Sequence, residues 1–293
     1  MLSGPTAGRF LPWPAATDDP AWLPVDALLD DPRAVEPLLR AAGSDRFGSD
    51  DRGLVVAQVA REAISVLVAA GVHAWTAERR VLDLSAANVA LRDGPSGVVV
   101  GLRRPGARAV LPDDPGTRDP EVEVLEEPKL FARFLERVLG DPAPLGEVPA
   151  GPPDRVAAVA AIVATVRRTV RTGDRHLWGT AALALTSTLT RLSHTIGPRA
   201  DRDRARLFAA RPDLARTVEL VTVADDAGAD VTFAVRRTCC LLLKLPAGHQ
   251  CGTCSLRDRD ACVARLTAWA LAGRGQATPV AVVPAIPVAV VES

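Results

Sequence analysis

The sequence predicts an α+β protein that is predominantly helical, with small antiparallel hairpins and a cysteine-rich hairpin near its C-terminal end, followed by a helix. Long segments place apolar residues at helical spacing. Short β-branched runs are separated by turn residues. The 293 residues are 48% hydrophobic and 24% charged, which is enough to bury a core in one large domain or two smaller ones.

The first half of the chain is predicted to contain an extended arm and a mixed α/β region. Residues 1–20 are rich in Pro, Gly and small side chains, which favours an extended arm. Residues 21–150 are predicted to form the mixed α/β region. Its predicted helices cover residues 33–42, 53–70 and 130–139, and its predicted strands cover 81–91 and 98–102. The intervening residues 92–97 have hairpin-turn chemistry.

The second half is predicted to be a helical core that ends in the cysteine-rich hairpin. Residues 141–153 contain five prolines and are predicted to form a linker, and the core covers residues 151–276. Its predicted helices cover 154–172, 175–196, 199–210 and 257–271, and its predicted strands cover 218–223 and 231–245. Prolines at 279, 284 and 287 exclude a central strand or helix in the tail, residues 277–293.

The charges are balanced overall but unevenly distributed. The chain has 35 basic and 35 acidic side chains, so its net charge gives no reason to expect a nucleic acid or an anionic membrane as partner. Residues 1–150 hold 23 acidic and 16 basic groups, which leaves the second half with an excess of positive charge. We therefore expect the two halves to attract each other.

The N-terminal residues lack a charged segment followed by an apolar one, so no signal peptide is predicted. The uncharged runs 156–166 and 177–190 are too short to span a bilayer, so no transmembrane segment is expected. The expected location is the cytoplasm, with peripheral contact to the inner face of the cell membrane left open.

All five cysteines lie within residues 239–262, which is unlike a disulfide framework that spreads its bridges through the chain. In a reducing cytosol such a cluster indicates a metal site. Ten residues separate Cys240 from Cys251, and two separate Cys251 from Cys254. A CxxC turn lets two thiolates converge on one metal centre, and the adjacent pair Cys239 and Cys240 supplies two more.

The residues alone leave the metal open between zinc and an iron–sulfur cluster. Zinc ribbons bring two CxxC-type turns to one ion. Adjacent cysteines suit that arrangement poorly, because successive side chains of an extended strand point to opposite faces. A two-iron cluster tolerates a wider spread of sulfur positions, and a thiol redox pair is a further alternative.

The segment Arg-Arg-Thr-Cys-Cys, the ten-residue gap and Cys-Gly-Thr-Cys resemble the C-terminal signature of the FhuF-type ferric-siderophore reductases. The sequence His-Leu-Trp-Gly-Thr at residues 176–180 also resembles a helix start of that family, with Thr180 where Asn is common. The resemblance covers residues 176–260. It implies a [2Fe-2S] cluster with Cys239, Cys240, Cys251 and Cys254 as ligands.

The implied function is the one-electron reduction of a ferric siderophore, which releases iron because Fe²⁺ binds hard oxygen ligands far less tightly than Fe³⁺. Trp178, Arg236 and Arg237 are candidate substrate-binding residues. The sequence has no phosphate-binding glycine loop, so the electron is expected from an external donor, either ferredoxin-like or a small reductant. Two alternatives stay open: a zinc-binding four-cysteine interaction module and an iron–sulfur redox sensor.

Overall fold

A long apolar helix, α3 (Arg52–His73), lies at the centre of the computed structural model of the chain. The structure describes residues 21–42, 46–94, 97–104, 106–140, 151–170, 173 and 175–272, and the backbone of 10–12. Asp51 begins the helix, since its carboxylate accepts a hydrogen bond from the amide of Leu54. A π-helical turn, Ala74–Glu78, continues it, and the chain then reverses at Arg79, whose φ is +54°.

Within the described part of the chain, one helical stretch, Arg52–Glu78, is long and apolar enough to cross a membrane. Of its most apolar window, 89% is buried inside the protein, and core helices have the same length and composition. The prediction of no transmembrane segment therefore stays a prediction.

Short helices and strands surround α3 in the first half. The helices are α1 (Ala27–Asp30), α2 (Glu36–Ala42) and α4 (Glu127–Phe134), which a π-helical turn extends over Leu135–Leu139. One sheet has the order β1-β5-β4-β2 and is formed by Phe10–Pro12 (β1), Leu23–Pro24 (β2), Val89–Arg92 (β4) and Val99–Leu102 (β5). The other has the order β3-β6-β7 and is formed by Arg80–Leu82 (β3), Ala107–Val110 (β6) and Glu123–Val124 (β7).

The predicted hairpin is confirmed, because β4 and β5 pair antiparallel through the predicted turn. The predicted single strand over 81–91 is wrong, since the chain leaves β3 and makes a 3₁₀ turn before it enters β4 in the other sheet. The side-chain amide of Asn88 stabilises this turn by donating to the carbonyl oxygen of Asp83 at 2.7 Å.

The second half contributes the remaining helices and one long hairpin. The helices are α5 (Ala158–Thr169), α6 (Arg175–Ile196), α7 (Pro198–Ala210), α8 (Pro212–Ala215) and α9 (Arg259–Leu271). Strands β8 (Val218–Ala224) and β9 (Asp230–Arg236) pair antiparallel along their full lengths. The predicted class, a mainly helical α+β protein with small antiparallel sheets, is confirmed.

One apolar core joins the two halves of the chain. It contains residues of α3 and α4 together with residues of α5 and α6, so the predicted regions 21–150 and 151–276 share it. A second, smaller core lies between the β8–β9 hairpin and α9, where Phe233 packs with Cys262 and Leu266. Most of the predicted arm, the linker residues 141–150 and the whole tail lie outside the described residues.

The predicted strand over 231–245 is wrong in its second half, because β9 ends at Arg236. Leu241 has a left-handed backbone with φ +62°, which no strand residue adopts. The backbone then closes a 3₁₀ turn over Leu242–Lys244. The adjacent pair Cys239 and Cys240 therefore lies in a loop and not in a strand.

Candidate metal centre

The four predicted ligands lie in one loop, residues 237–258, which connects β9 to α9. Two backbone contacts fold this loop back on the hairpin: the amide of Arg236 donates to Thr253 at 3.2 Å, and that of Arg237 donates to Thr217 at 2.9 Å. The amide of Cys254 donates to the carbonyl of Cys251 at 3.1 Å and closes the CxxC turn. The loop thus brings the second cysteine pair back to the end of β9.

Two of the four sulfurs are in direct contact. The Sγ atoms of Cys240 and Cys251 are 3.9 Å apart. Two thiolates on one tetrahedral metal ion, with metal–sulfur bonds of about 2.3 Å, would lie roughly 3.8 Å apart. Cys240 and Cys251 therefore have the spacing of two ligands to a single metal ion.

The other two sulfurs occupy different surroundings. The half-buried Cys239 accepts a hydrogen bond of 3.4 Å from the amide of Leu241, the type of N–H···S contact that stabilises a thiolate. Cys254 is buried, and its carbonyl oxygen is 3.8 Å from the thiol of Cys262. Among the described residues, no group of three or more His, Cys, Asp or Glu side chains is close enough together to hold one ion.

Two glycines allow the loop to approach its neighbours closely. A Cβ atom on Gly252 would lie 2.0 Å from the ring of Trp269, so the CxxC turn packs directly under the indole on α9. A Cβ atom on Gly179 would lie 2.4 Å from Oγ1 of Thr238, so α6 packs against the residue that precedes the cysteine pair. The Trp-Gly motif and the cysteine motif are thus in contact.

A buried guanidinium lies next to the sulfurs. Arg236 is only 4% exposed, and its Nη2 donates to Oγ1 of Thr180 at 3.0 Å. Its Nη1 has no hydrogen-bond partner within the part of the chain that the structure describes. Burial lowers the pKa of Arg236, and the nearby charge of Cys240 acts in the opposite direction. Such a cation gains from any negative charge placed beside it.

The contact between the two sulfurs also shifts the pKa values of the two thiols in opposite directions. The hydrogen bond shared with Cys251 lowers the pKa of Cys240 to about 5 against the effect of burial, and the positive charge of Arg236 acts in the same direction. The shared hydrogen bond and burial raise the pKa of Cys251. The contact therefore favours a negative charge on Cys240 over one on Cys251.

Sequence reasoning missed two residues of α3 that touch this loop. The amide Nε2 of Gln58, which is fully buried, donates to the carbonyl oxygen of Cys240 at 2.8 Å. Arg61 donates in turn to Oε1 of Gln58 at 2.8 Å. The only signal in the sequence was a polar Gln inside a run of seven residues that is otherwise apolar, 54–60.

The candidate substrate-binding residues fall into two groups. Arg236 lines a cavity of about 110 Å³ together with Cys240 and Cys251. Trp178 does not line it; this residue packs against the main core, with the guanidinium of Arg211 5.2 Å from its ring centroid. Arg237 is exposed and also lies outside the cavity lining.

No protein-family model matches this chain, and no curated protein is significantly similar to it. The family resemblance therefore rests on the cysteine spacing and the Trp-Gly motif.

Proposed function

We propose that this protein is a cytoplasmic iron–sulfur oxidoreductase that reduces the Fe(III) of a ferric siderophore to Fe(II). The observation that carries the proposal is the contact of Cys240 with Cys251, in a loop of Cys-Cys-x₁₀-Cys-x-x-Cys spacing, beside the buried guanidinium of Arg236. One electron from a ferredoxin-like protein or a small reductant converts Fe(III) to Fe(II), and the siderophore then releases the ion.

The proposed ligands of a [2Fe-2S] cluster are Cys239, Cys240, Cys251 and Cys254. When bound, such a cluster supplies one electron at a time. Cys240 and Cys251 are at the spacing of two ligands to one iron, and Cys239 and Cys254 follow from the same loop as the proposed ligands that complete the set.

The residues around the loop fit a site that gains negative charge. Arg236 keeps a permanent positive charge beside Cys240 in a region from which water is largely excluded, where charge interactions are strong. The amide of Leu241 points its N–H at the sulfur of Cys239. Both groups favour thiolate over thiol and stabilise an added electron relative to a neutral environment.

The test is anaerobic purification followed by metal, sulfide and spectroscopic analysis. We expect about two irons and two sulfides per chain, a red-brown colour and an electron paramagnetic resonance signal after chemical reduction. Turnover is measured with a neutral ferric trihydroxamate and with ferric citrate, each with a chromogenic chelator that selects Fe(II). A colourless protein with one zinc would support the interaction module instead, and a cluster without turnover of any ferric chelate would support the redox sensor.

Two cysteine variants provide the matched comparison. Cys251→Ser removes a proposed ligand, and we expect it to abolish the chromophore and the ferric-chelate reduction together. Cys262→Ser changes a thiol that is 1% exposed and packed in the smaller core, so both signals should persist. The reverse pattern would overturn the ligand assignment.

A further inference from the structure

The cavity beside the sulfur pair is lined by three arginines that come from three different elements. Arg61 lies on α3, Arg236 ends β9 and Arg265 lies on α9. None of them forms an ion pair with a carboxylate among the residues that the structure describes. Their contacts are to the amide of Gln58, the hydroxyl of Thr180 and the ring of Trp269.

The wall of the cavity carries more positive than negative charge. Three guanidiniums line it together with the Cys240–Cys251 pair, in which the sulfur contact favours a negative charge on Cys240 alone, and its polar side chains Ser65, Thr180 and Thr253 are neutral. Buried charges are normally paired, because removal from water without a counter-charge is unfavourable. The cavity therefore has the electrostatics of a site for an anion. Arginine is well suited to bind carboxylate oxygens, since its planar guanidinium donates two parallel hydrogen bonds.

The position of the cavity links this anion to the redox chemistry. Cys240 and Cys251 form part of its wall, whereas Cys239 and Cys254 do not. His249 and Gln250 also line it and are exposed, so the cavity opens to solvent along the cysteine loop. A ligand that enters by this route would come next to the sulfur pair.

We propose that this cavity binds an ionised carboxylate or catecholate arm of the substrate, so that the preferred substrates are ferric chelates of net negative charge. The inference rests on the proposed reductase function. A volume of about 110 Å³ is well below that of pockets for whole drug-sized ligands, about 300–1,000 Å³. The cavity therefore takes one arm of the chelate, and the iron stays at the mouth near Cys251.

Binding can be measured separately from reduction by using gallium(III) chelates, because gallium has the charge and oxygen coordination of ferric iron but is not reduced. The purified protein is titrated by calorimetry with gallium tris-catecholate, gallium citrate and a neutral gallium trihydroxamate. We expect the two anionic chelates to bind at least about tenfold more tightly than the neutral one, as one charge-assisted hydrogen bond allows. Equal affinities, or no binding of any of the three, would overturn the proposal.

Variants test whether the arginines are responsible. Arg265→Gln changes an exposed residue of α9, and Arg61→Gln changes the cavity arginine of α3; each should weaken binding of the anionic chelates about tenfold and leave that of the neutral one unchanged. Arg259→Gln is the control, because it removes the same charge from α9 outside the cavity. Equal effects of Arg259→Gln and Arg265→Gln would overturn the site.

Three further outcomes are informative, and the last two separate this inference from the proposed function. If metal-free citrate binds as tightly as gallium citrate, the site takes free carboxylates, and the assignment of a chelate is overturned. If charge-selective gallium binding is retained in a protein that holds no iron and sulfide, the redox function fails while the anion site stands. If a cluster and turnover are found but neutral and anionic ferric chelates react equally well, the reductase stands and the substrate class fails.

Discussion

The side-chain amide of Gln58 donates a hydrogen bond to the carbonyl oxygen of Cys240, across 182 residues of sequence. Helix α3 therefore fixes the backbone of the cysteine loop at the residue whose sulfur contacts Cys251. This contact joins the two halves of the chain, because α3 belongs to the first half and the cysteine loop to the second.

Loss of this hydrogen bond should destabilise the protein. Gln58→Leu leaves the carbonyl of Cys240 unpaired in a buried position, and we expect the free energy of unfolding to fall by about 1–3 kcal/mol. Gln58→Glu keeps the acceptor for Arg61 but no longer donates, so it should be destabilised as well. Urea denaturation measures both, and wild-type stability of Gln58→Glu would contradict the role of the donated hydrogen.

The close packing of the CxxC turn under Trp269 predicts a steric effect. Gly252→Ala places a Cβ atom against the indole, and we expect a loss of about 1–3 kcal/mol in stability. The double variant Gly252→Ala with Trp269→Leu should lose less than the sum of the two single changes. Gly106→Ala is the control, since nothing lies within 4 Å of its added carbon; an equal effect of both alanines would refute the packing argument.

A largely buried ion pair connects Arg79, which follows the π-helical turn after α3, to Asp203 on α7. Arg79 donates two hydrogen bonds to Asp203, at 2.6 and 3.0 Å, and its guanidinium lies 4.4 Å from the ring centroid of Trp75. Asp203→Asn leaves the cation without its partner, and we expect a loss of roughly 3–5 kcal/mol. Glu219→Gln, which breaks the exposed pair with Arg259, should cost about 0–1 kcal/mol. Thermal or urea denaturation compares the two, and similar losses would show that burial of the pair is irrelevant.

Acid should weaken the pair of Arg80 and Asp114. The hydrogen bond from Arg80 lowers the pKa of Asp114, with the amide of Gly116 acting in the same direction. The folded state therefore binds this proton less readily than the unfolded state. Its stabilising contribution is present above the unfolded pKa of about 3.9 and is lost as the pH falls through the lower folded value. The stability difference between wild type and Asp114→Asn should shrink over that range in urea titrations; a difference independent of pH would contradict the linkage.

Local pattern was sufficient to predict most of the helices and two hairpins, β4–β5 and β8–β9. The periodic run that became α6 has the predicted bounds, and the turn between β4 and β5 was recognised from its glycines. The apolar run 241–243 misled the strand prediction, because hydrophobicity does not reveal the left-handed backbone of Leu241. The parallel pairing of β1 with β5 was not predicted, because it joins segments distant in sequence, and β6 and β7 were not predicted as strands at all.

Only part of the candidate site was predictable from the sequence. Cysteine spacing identified the loop, but it could not show that Cys240 and Cys251 form the contacting pair. Gln58 and Arg61 reach the loop through the tertiary fold alone, so no spacing rule in the sequence indicates them. Trp178 was chosen from its motif, whereas its packing against the core and its contact with Arg211 follow from the tertiary fold.

The burial of α3 against α6 has a consequence for biosynthesis. Helix α3 ends at residue 73 and α6 begins at residue 175, so about a hundred residues must be translated before its covering partner exists. At about 5–20 residues per second this interval lasts roughly 5–20 s. The nascent chain therefore presents an uncovered apolar helix to the ribosome exit region, and we expect its yield in cells to depend on chaperones that bind such segments.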